Sequence, residues 1–202
     1  MQVSKVNKQI SSHTAWKNWF LISALYFTSL KKIESRFSRN VSRLRCLTDT
    51  CLAQYLGSQI LESHIAKCNG PVLAATISRL RKLPLLLLPG EKLDIIVHIF
   101  DDIRDLIKNS NADEYGADEL LPILEFILIR GAIQNLGLEI QFVKDFLHPD
   151  IQGGEKGLWF CHFYAAYKSL SKAWTFSYLV LALENRKSSN RFSSGNMIIR
   201  SR

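Results

Sequence analysis

The stretch YGADELLPILEFILIRG, residues 115–131, joins two patterns that rarely share a segment. The run LLPILEFILI is apolar almost all round, as in a helix buried on every side. Its entrance carries Asp118 and Glu119, and a proline, Pro122, stands inside it. A segment built only for a core has no need of an acidic entrance. Asp118, following Gly116-Ala117, reads as a helix N-cap whose side chain accepts a backbone N–H of the next turn. Pro122 lies four residues on, where its ring crowds the Asp118 carbonyl and offers it no N–H. Extension of the helix across Asp118 is therefore expected to be disfavoured. The apolar run behind would anchor a carboxylate rigidly at the surface.

The flanking segments are helical too. LLLLPGEKLDIIVHIFDDIRDLIKN places Pro89-Gly90 before a helix with Leu93, Ile96, Phe100, Ile103 and Ile107 on one stripe and Asp94, Asp101, Asp102 and Asp105 off it. NSNADEYGADE reads as a loop. LGLEIQFVKDFLHP sets Leu136, Ile140, Val143 and Leu147 on one face and stops at Pro149. DIQGGEKG reads as a Gly-rich turn, and LWFCHFYAAYKSLSKAW as an aromatic-rich last helix. Upstream, LTDTCLAQYLGSQILESHIAK reads as one helix, closed by Asn69-Gly70-Pro71. No alternating strand pattern or hairpin signal competes. The expected fold class is an all-α helical bundle with a basic helical N-terminal extension.

The chain has 202 residues and a net charge of +8, unevenly placed. Residues 1–45 hold nine Lys/Arg against one acid, Glu34, and residues 184–202 hold five against Glu184. Residues 46–183 hold twelve bases and sixteen acids. The basic pI thus belongs to the ends, and the body lacks the basic stripe of a nucleic-acid-binding domain. These shifts divide the chain into a basic aromatic extension (1–45), a helical bundle (46–183) and a basic, Ser/Asn-rich tail (184–202) expected to be disordered. WFLISALYFTSL (19–30) is too short to span a bilayer and lacks a small-x-small cleavage site. It reads as a helix packed on the body with a basic outer face, which leaves room for attraction to an anionic membrane. Four cysteines with no secretion signal fit a reducing, cytoplasmic setting.

Cys46, Cys51, His64 and Cys68 have the arithmetic of zinc ligands. On one helix, however, Cys51 and His64 stand roughly 20 Å apart along the axis. No metal site is expected, and the cysteines read as small buried fillers. His98, with Asp94 and Asp102 at i−4 and i+4, reads as part of a solvated face. No nucleophile elbow, zinc-protease helix, P-loop or dinucleotide fingerprint is present, so neither covalent chemistry nor a cofactor is expected.

From about Leu83 to Leu170 the chain resembles the vacuolar-protein-sorting-nine domain, the catalytic module of exchange factors for early-endosomal Rab GTPases. The resemblance rests on PGEKLDII, YGADELLPILEFILIRG, NLGLEIQFVKDF and GGEKG before an aromatic helix, in that order. It implies a helical bundle that pries nucleotide from the GTPase without breaking a bond. Asp118, in the GAD motif, would reach toward the phosphate and Mg²⁺ site. Pro122 would shape the groove for the GTPase switch regions, and Leu121 and Glu125 would flank it if they face out. The partner would be a GDP-bound or nucleotide-free Rab, and the location cytoplasmic, peripheral on early endosomes.

The family pattern is broken after the GE-x-G turn. Where it has a tyrosine and, three residues on, a threonine facing the GTPase, this chain has Leu158 and Cys161. Trp159 or His162 would have to compensate. Beyond Leu170 the family pattern is lost, as in a fragment or an alternative terminus. Two rival readings stand beside exchange. One is a catalytically weak Rab-binding scaffold of the same fold. The other is a basic membrane- or nucleic-acid-associated helical protein, which the acidic body disfavours.

Overall fold

In the computed structural model, which describes residues 19–67, 73–109, 117–147 and 149–172, every regular element is helical and no strand occurs. The chain is an all-α protein. The order is α1 (Trp19–Leu44), α2 (Asp49–Leu56), α3 (Gln59–Lys67), α4 (Ala74–Leu80), a 3-10 turn (Leu83–Leu85), α5 (Pro89–Lys108), α6 (Ala117–Gly131), α7 (Leu136–Phe146), the short α8 (Pro149–Gln152) and α9 (Glu155–Leu170). The readings made for 1–18, for the Asn69-Gly70-Pro71 stop, for Cys68, for the 110–116 loop and for the tail lie outside the described residues.

Helix α6 is the centre. Ile123, Leu124, Phe126, Ile127, Leu128 and Ile129 are all essentially inaccessible. Each such side chain contributes about 1.5–3 kcal/mol relative to exposure. The helix packs on α9, α4, α2 and α1. The expected stripe of α5 (Leu93, Ile96, Phe100, Ile103, Ile107) is buried against α9, α4 and α7. Pro89 opens α5, where its missing N–H costs nothing.

Three expectations change. Residues 47–67 form two helices, not one. Thr48 caps α2 by accepting the Cys51 N–H at 3.2 Å, and Gly57, at φ +77, ends it in the left-handed region that glycine enters most readily. Ser58 restarts the chain, its hydroxyl accepting the Leu61 N–H at 3.2 Å. Second, the DIQGGEKG turn contains the one-turn α8. Third, the three described cysteines are not core fillers. Cys46 and Cys161 are exposed and Cys51 is half-buried, because Cys46 follows the end of α1 and Cys161 lies on the outer face of α9.

Two buried polar links set the register of the bundle. Lys92 of α5, only 2% exposed, pairs with Glu139 of α7 and donates to the Leu83 carbonyl at 2.9 Å. The second link involves Glu34, the lone acid of residues 1–45. It faces inward from α1 and accepts the Tyr167 hydroxyl at 2.9 Å and the Gly137 N–H at 3.0 Å, at the N-terminus of α7. A Cβ at residue 137 would meet the Tyr167 hydroxyl and the Glu34 carboxylate, so any larger residue there would displace this link. Asn40 of α1 donates to the carbonyls of Leu170 (2.7 Å) and Lys172 (3.0 Å), capping the end of α9. Helix α1 is thus bonded into the body, with Phe37, Val41 and Leu44 in the core and Lys32, Arg39 and Arg43 outside. No helix among the described residues is long and apolar enough to cross a membrane.

Candidate functional site

Helix α6 begins at Ala117, so the backbone of Asp118 is in its first turn and not at the N-cap. Pro122 is tolerated because the bond it removes, to the Asp118 carbonyl, belongs to the opening turn, while the buried run behind it holds the helix. The Asp118 side chain itself lies outside the described residues. Glu119, its neighbour, accepts the Ser58 hydroxyl at 2.8 Å from the α2–α3 joint. At the other end of α6, Arg130 pairs with Asp49 at 2.7 Å and donates to the carbonyls of Leu47 (2.7 Å) and Arg45 (3.0 Å). Both ends of α6 are therefore tied to the α1–α3 segment. The acidic pair that opened the question has a divided use, with Glu119 securing the turn on which Asp118 rides.

Leu121 is 36% exposed and Pro122 is half-buried. Glu125 does not face out. It is 7% exposed, within hydrogen-bonding reach of Ser169 on α9 and in the field of Lys172. Its place flanking an outer groove depended on exposure, and close packing of α6 on α9 turns it inward instead. Burial holds its pKa above the ordinary glutamate range, with Ser169 and Lys172 pulling it back. A carboxyl raised in the folded state gives stability that is full below its unfolded pKa of about 4.3 and is lost as pH rises through the folded value. Unfolding free energy measured from pH 4.5 upward is therefore expected to fall with pH, by up to about 1.4 kcal/mol per pH unit per group. Glu125→Gln should flatten that slope, and should not abolish it, because burial raises Glu34 in the same direction.

On α9, Leu158, Cys161 and Ala165 are exposed at i, i+3 and i+7, one outward face. Leu158 is 53% exposed, a large apolar side chain at the position where the resemblance expects a tyrosine. Cys161 also lines an apolar cavity of about 220 Å³ with Phe160, Tyr164 and Leu147. Trp159, the first residue expected to compensate, is engaged within the fold. Its ring stacks on Phe100 at 4.7 Å and carries the Arg104 guanidinium at 5.4 Å, so α5 holds it. His162 is half-buried beside the same pair, 6.4 Å from Phe100 and 6.3 Å from Trp159.

The His98 group dissolves into cross-helix pairs. Asp94 bonds Lys156 at 2.8 Å, while Asp102 takes Arg79 and, at 2.8 Å, the Thr76 hydroxyl. Among the described residues no three His, Cys, Asp or Glu side chains converge as metal ligands. The Ser58–Glu119 and Glu34–Tyr167 links carried no sequence signal, since their members are 61 and 133 residues apart.

The profile of the Vacuolar sorting protein 9 (VPS9) domain matches residues 73–173, half of the chain. The chain belongs to this family. Alsin of Rattus norvegicus is 27% identical over 101 residues, 49% of this chain and 6% of alsin. The human ALS2 C-terminal-like protein is 24% identical over 143 residues, 64% of this chain and 15% of the relative. Human Ras and Rab interactor 2, whose name states its partners, is 27% identical over 78 residues, covering 39% and 9%. The chain thus spans a small fraction of these relatives' lengths. The matched VPS9 region takes in α4 to α9 and leaves out α1 to α3, which the structure bonds to it.

Proposed function

We propose that this VPS9 domain promotes GDP release from a small GTPase of the early-endosomal Rab subfamily, with Asp118 as the residue that acts at the nucleotide site. Members of the family act as nucleotide exchange factors on small GTPases. The observation that carries the reading is the GAD-x-x-x-Pro element at the start of a helix that is buried from Ile123 to Ile129 and tied at both ends. A bound nucleotide depends on a P-loop lysine at its phosphates and on Mg²⁺. A fixed carboxylate offers that lysine another partner and repels phosphate oxygens. Leu121, Pro122, Leu158, Cys161 and His162 make the GTPase contact, and the chain acts at endosomes during endocytic trafficking. The catalytic core is residues 83–170 within the bundle 46–183, and the basic extension 1–45 draws the domain to anionic membrane.

A factor that speeds release binds the nucleotide-free GTPase more tightly than the GDP form, since coupling is reciprocal. Titration of this chain against both forms is expected to give a preference of at least about tenfold, equivalent to about 1.4 kcal/mol. Equal affinities would favour the second reading, a Rab-binding scaffold, for which the apolar Leu158 and thiol Cys161 are the specific observation. Each lost interface hydrogen bond costs about 0.5–1.5 kcal/mol. Leu158→Tyr with Cys161→Thr should therefore raise the release rate by about one order of magnitude or more, read by fluorescent-GDP release. An unchanged rate would show that the two positions do not limit exchange.

A further inference from the structure

Helix α1 carries a cleft of about 470 Å³, within the range of small-ligand sites. Lys31 and Arg39 stand two turns apart, about 12 Å along the axis. Ser35, Ser38 and Ser42 lie between and beside them on the same face, with Phe27 at one end and Asn135 at the rim. Neither cation forms an ion pair with a described residue. The one carboxylate in the lining, Glu34, is already engaged by the Tyr167 hydroxyl and the Gly137 N–H at the positive end of α7, and the amides of Asn135 and Leu136 also favour its charged form. Burial nonetheless disfavours its charged form and raises its pKa, so its negative charge weighs less against the two cations. What remains facing out is two cations and three hydroxyls, the donor set that binds phosphate oxygens.

The cleft does not open onto a uniformly polar surface. Phe27, one turn before Lys31 on the cleft's face, is about half exposed. Lys32 and Arg43 extend the basic end. An apolar side chain beside a phosphate-binding donor set fits a ligand that sits in a bilayer, where the apolar group reaches the acyl boundary while the cations meet headgroups.

We propose that this cleft binds the phosphorylated headgroup of a membrane lipid, with Lys31 and Arg39 on the phosphate, the serines on its remaining oxygens, and Phe27 in the bilayer surface. The inference rests on the membrane part of the reading above and narrows it from general attraction to a built site. It is independent of exchange.

The test is co-sedimentation of the full chain with phosphatidylcholine vesicles containing either phosphatidylserine or a phosphoinositide, matched in total negative charge. A soluble inositol phosphate serves as competitor. The expected results are preference for the phosphoinositide vesicles, displacement by the inositol phosphate, and about thirtyfold weaker partition for Lys31→Gln with Arg39→Gln. Both residues are exposed, so the variant should fold, which circular dichroism checks. Lys67→Gln with Lys108→Gln, outside the cleft, removes the same charge and should cost clearly less. Equal binding to both vesicle types, with the two double variants equally affected, would overturn the cleft and leave general attraction standing. Binding of the inositol phosphate without binding to vesicles would overturn the membrane assignment. No binding to any vesicle or competitor would overturn both.

Discussion

Asp118→Ala is expected to reduce accelerated GDP release by about ten- to a hundredfold while leaving the fold intact. The magnitude follows from the loss of one hydrogen bond to a charged partner, about 1.5–3 kcal/mol. What the fold holds still is the backbone that carries Asp118. Asp118 is in the first turn of α6, Glu119 beside it is bonded by Ser58, and the six buried side chains from Ile123 to Ile129 leave the helix no room to shift. A carboxylate on a mobile loop would spend much of its interaction energy on being ordered. A first-turn acid also stabilises a helix by about 0.3–1 kcal/mol, so the variant's thermal midpoint should fall by only a few degrees. Asp118→Asn keeps the shape, removes the charge, and should resemble the alanine variant in release. Recovery with asparagine would mean that hydrogen bonding without charge suffices.

The largest expected effect on stability is at the opposite end of the core. Glu139→Ala leaves Lys92 charged and buried at 2% exposure, with the Leu83 carbonyl as a neutral hydrogen-bond acceptor. Breaking a buried pair from one side costs about 3–5 kcal/mol, a fall of roughly 6–20 °C in thermal midpoint for a chain of this size. The double variant Lys92→Met, Glu139→Leu removes both charges and should recover most or all of the loss. The contrast between single and double variants, read by thermal unfolding, separates a penalty of desolvated charge from a loss of packing. If the double variant is as unstable as the single, packing around the pair carries the stability and the electrostatic argument fails.

These two positions mark how far the sequence could be read. The stripe of α5 and the all-round apolar run of α6 were legible because burial imposes a period on neighbouring residues, and that period survives in the chain. So was Pro89 at a helix start. The break between α2 and α3 was not, because apolar spacing carries on through Gly57 and a single glycine is compatible with a helix. The inward turn of Glu125 was hidden for a different reason. Nothing local separates an outward glutamate from one whose partner, Ser169, comes from a helix more than forty residues on. Glu34 was visible only as an oddity, the one acid in a basic segment. Its purpose, meeting Tyr167 and the N-terminus of α7, is a long-range pairing that no periodicity records. Of the proposed site, the motif singled out Asp118, Leu158 and Cys161 as candidates, while the restraints on α6 and the hold of α5 on Trp159 required the structure.

The central claim is that this domain opens the nucleotide site of a Rab GTPase through Asp118. The direct measurement is release of fluorescent GDP from an early-endosomal Rab, alone, with this chain, and with its Asp118→Ala variant, all shown to be folded. The account predicts acceleration by the chain and its loss in the variant. Absence of acceleration by the folded chain, or acceleration that Asp118→Ala leaves unchanged, would contradict it.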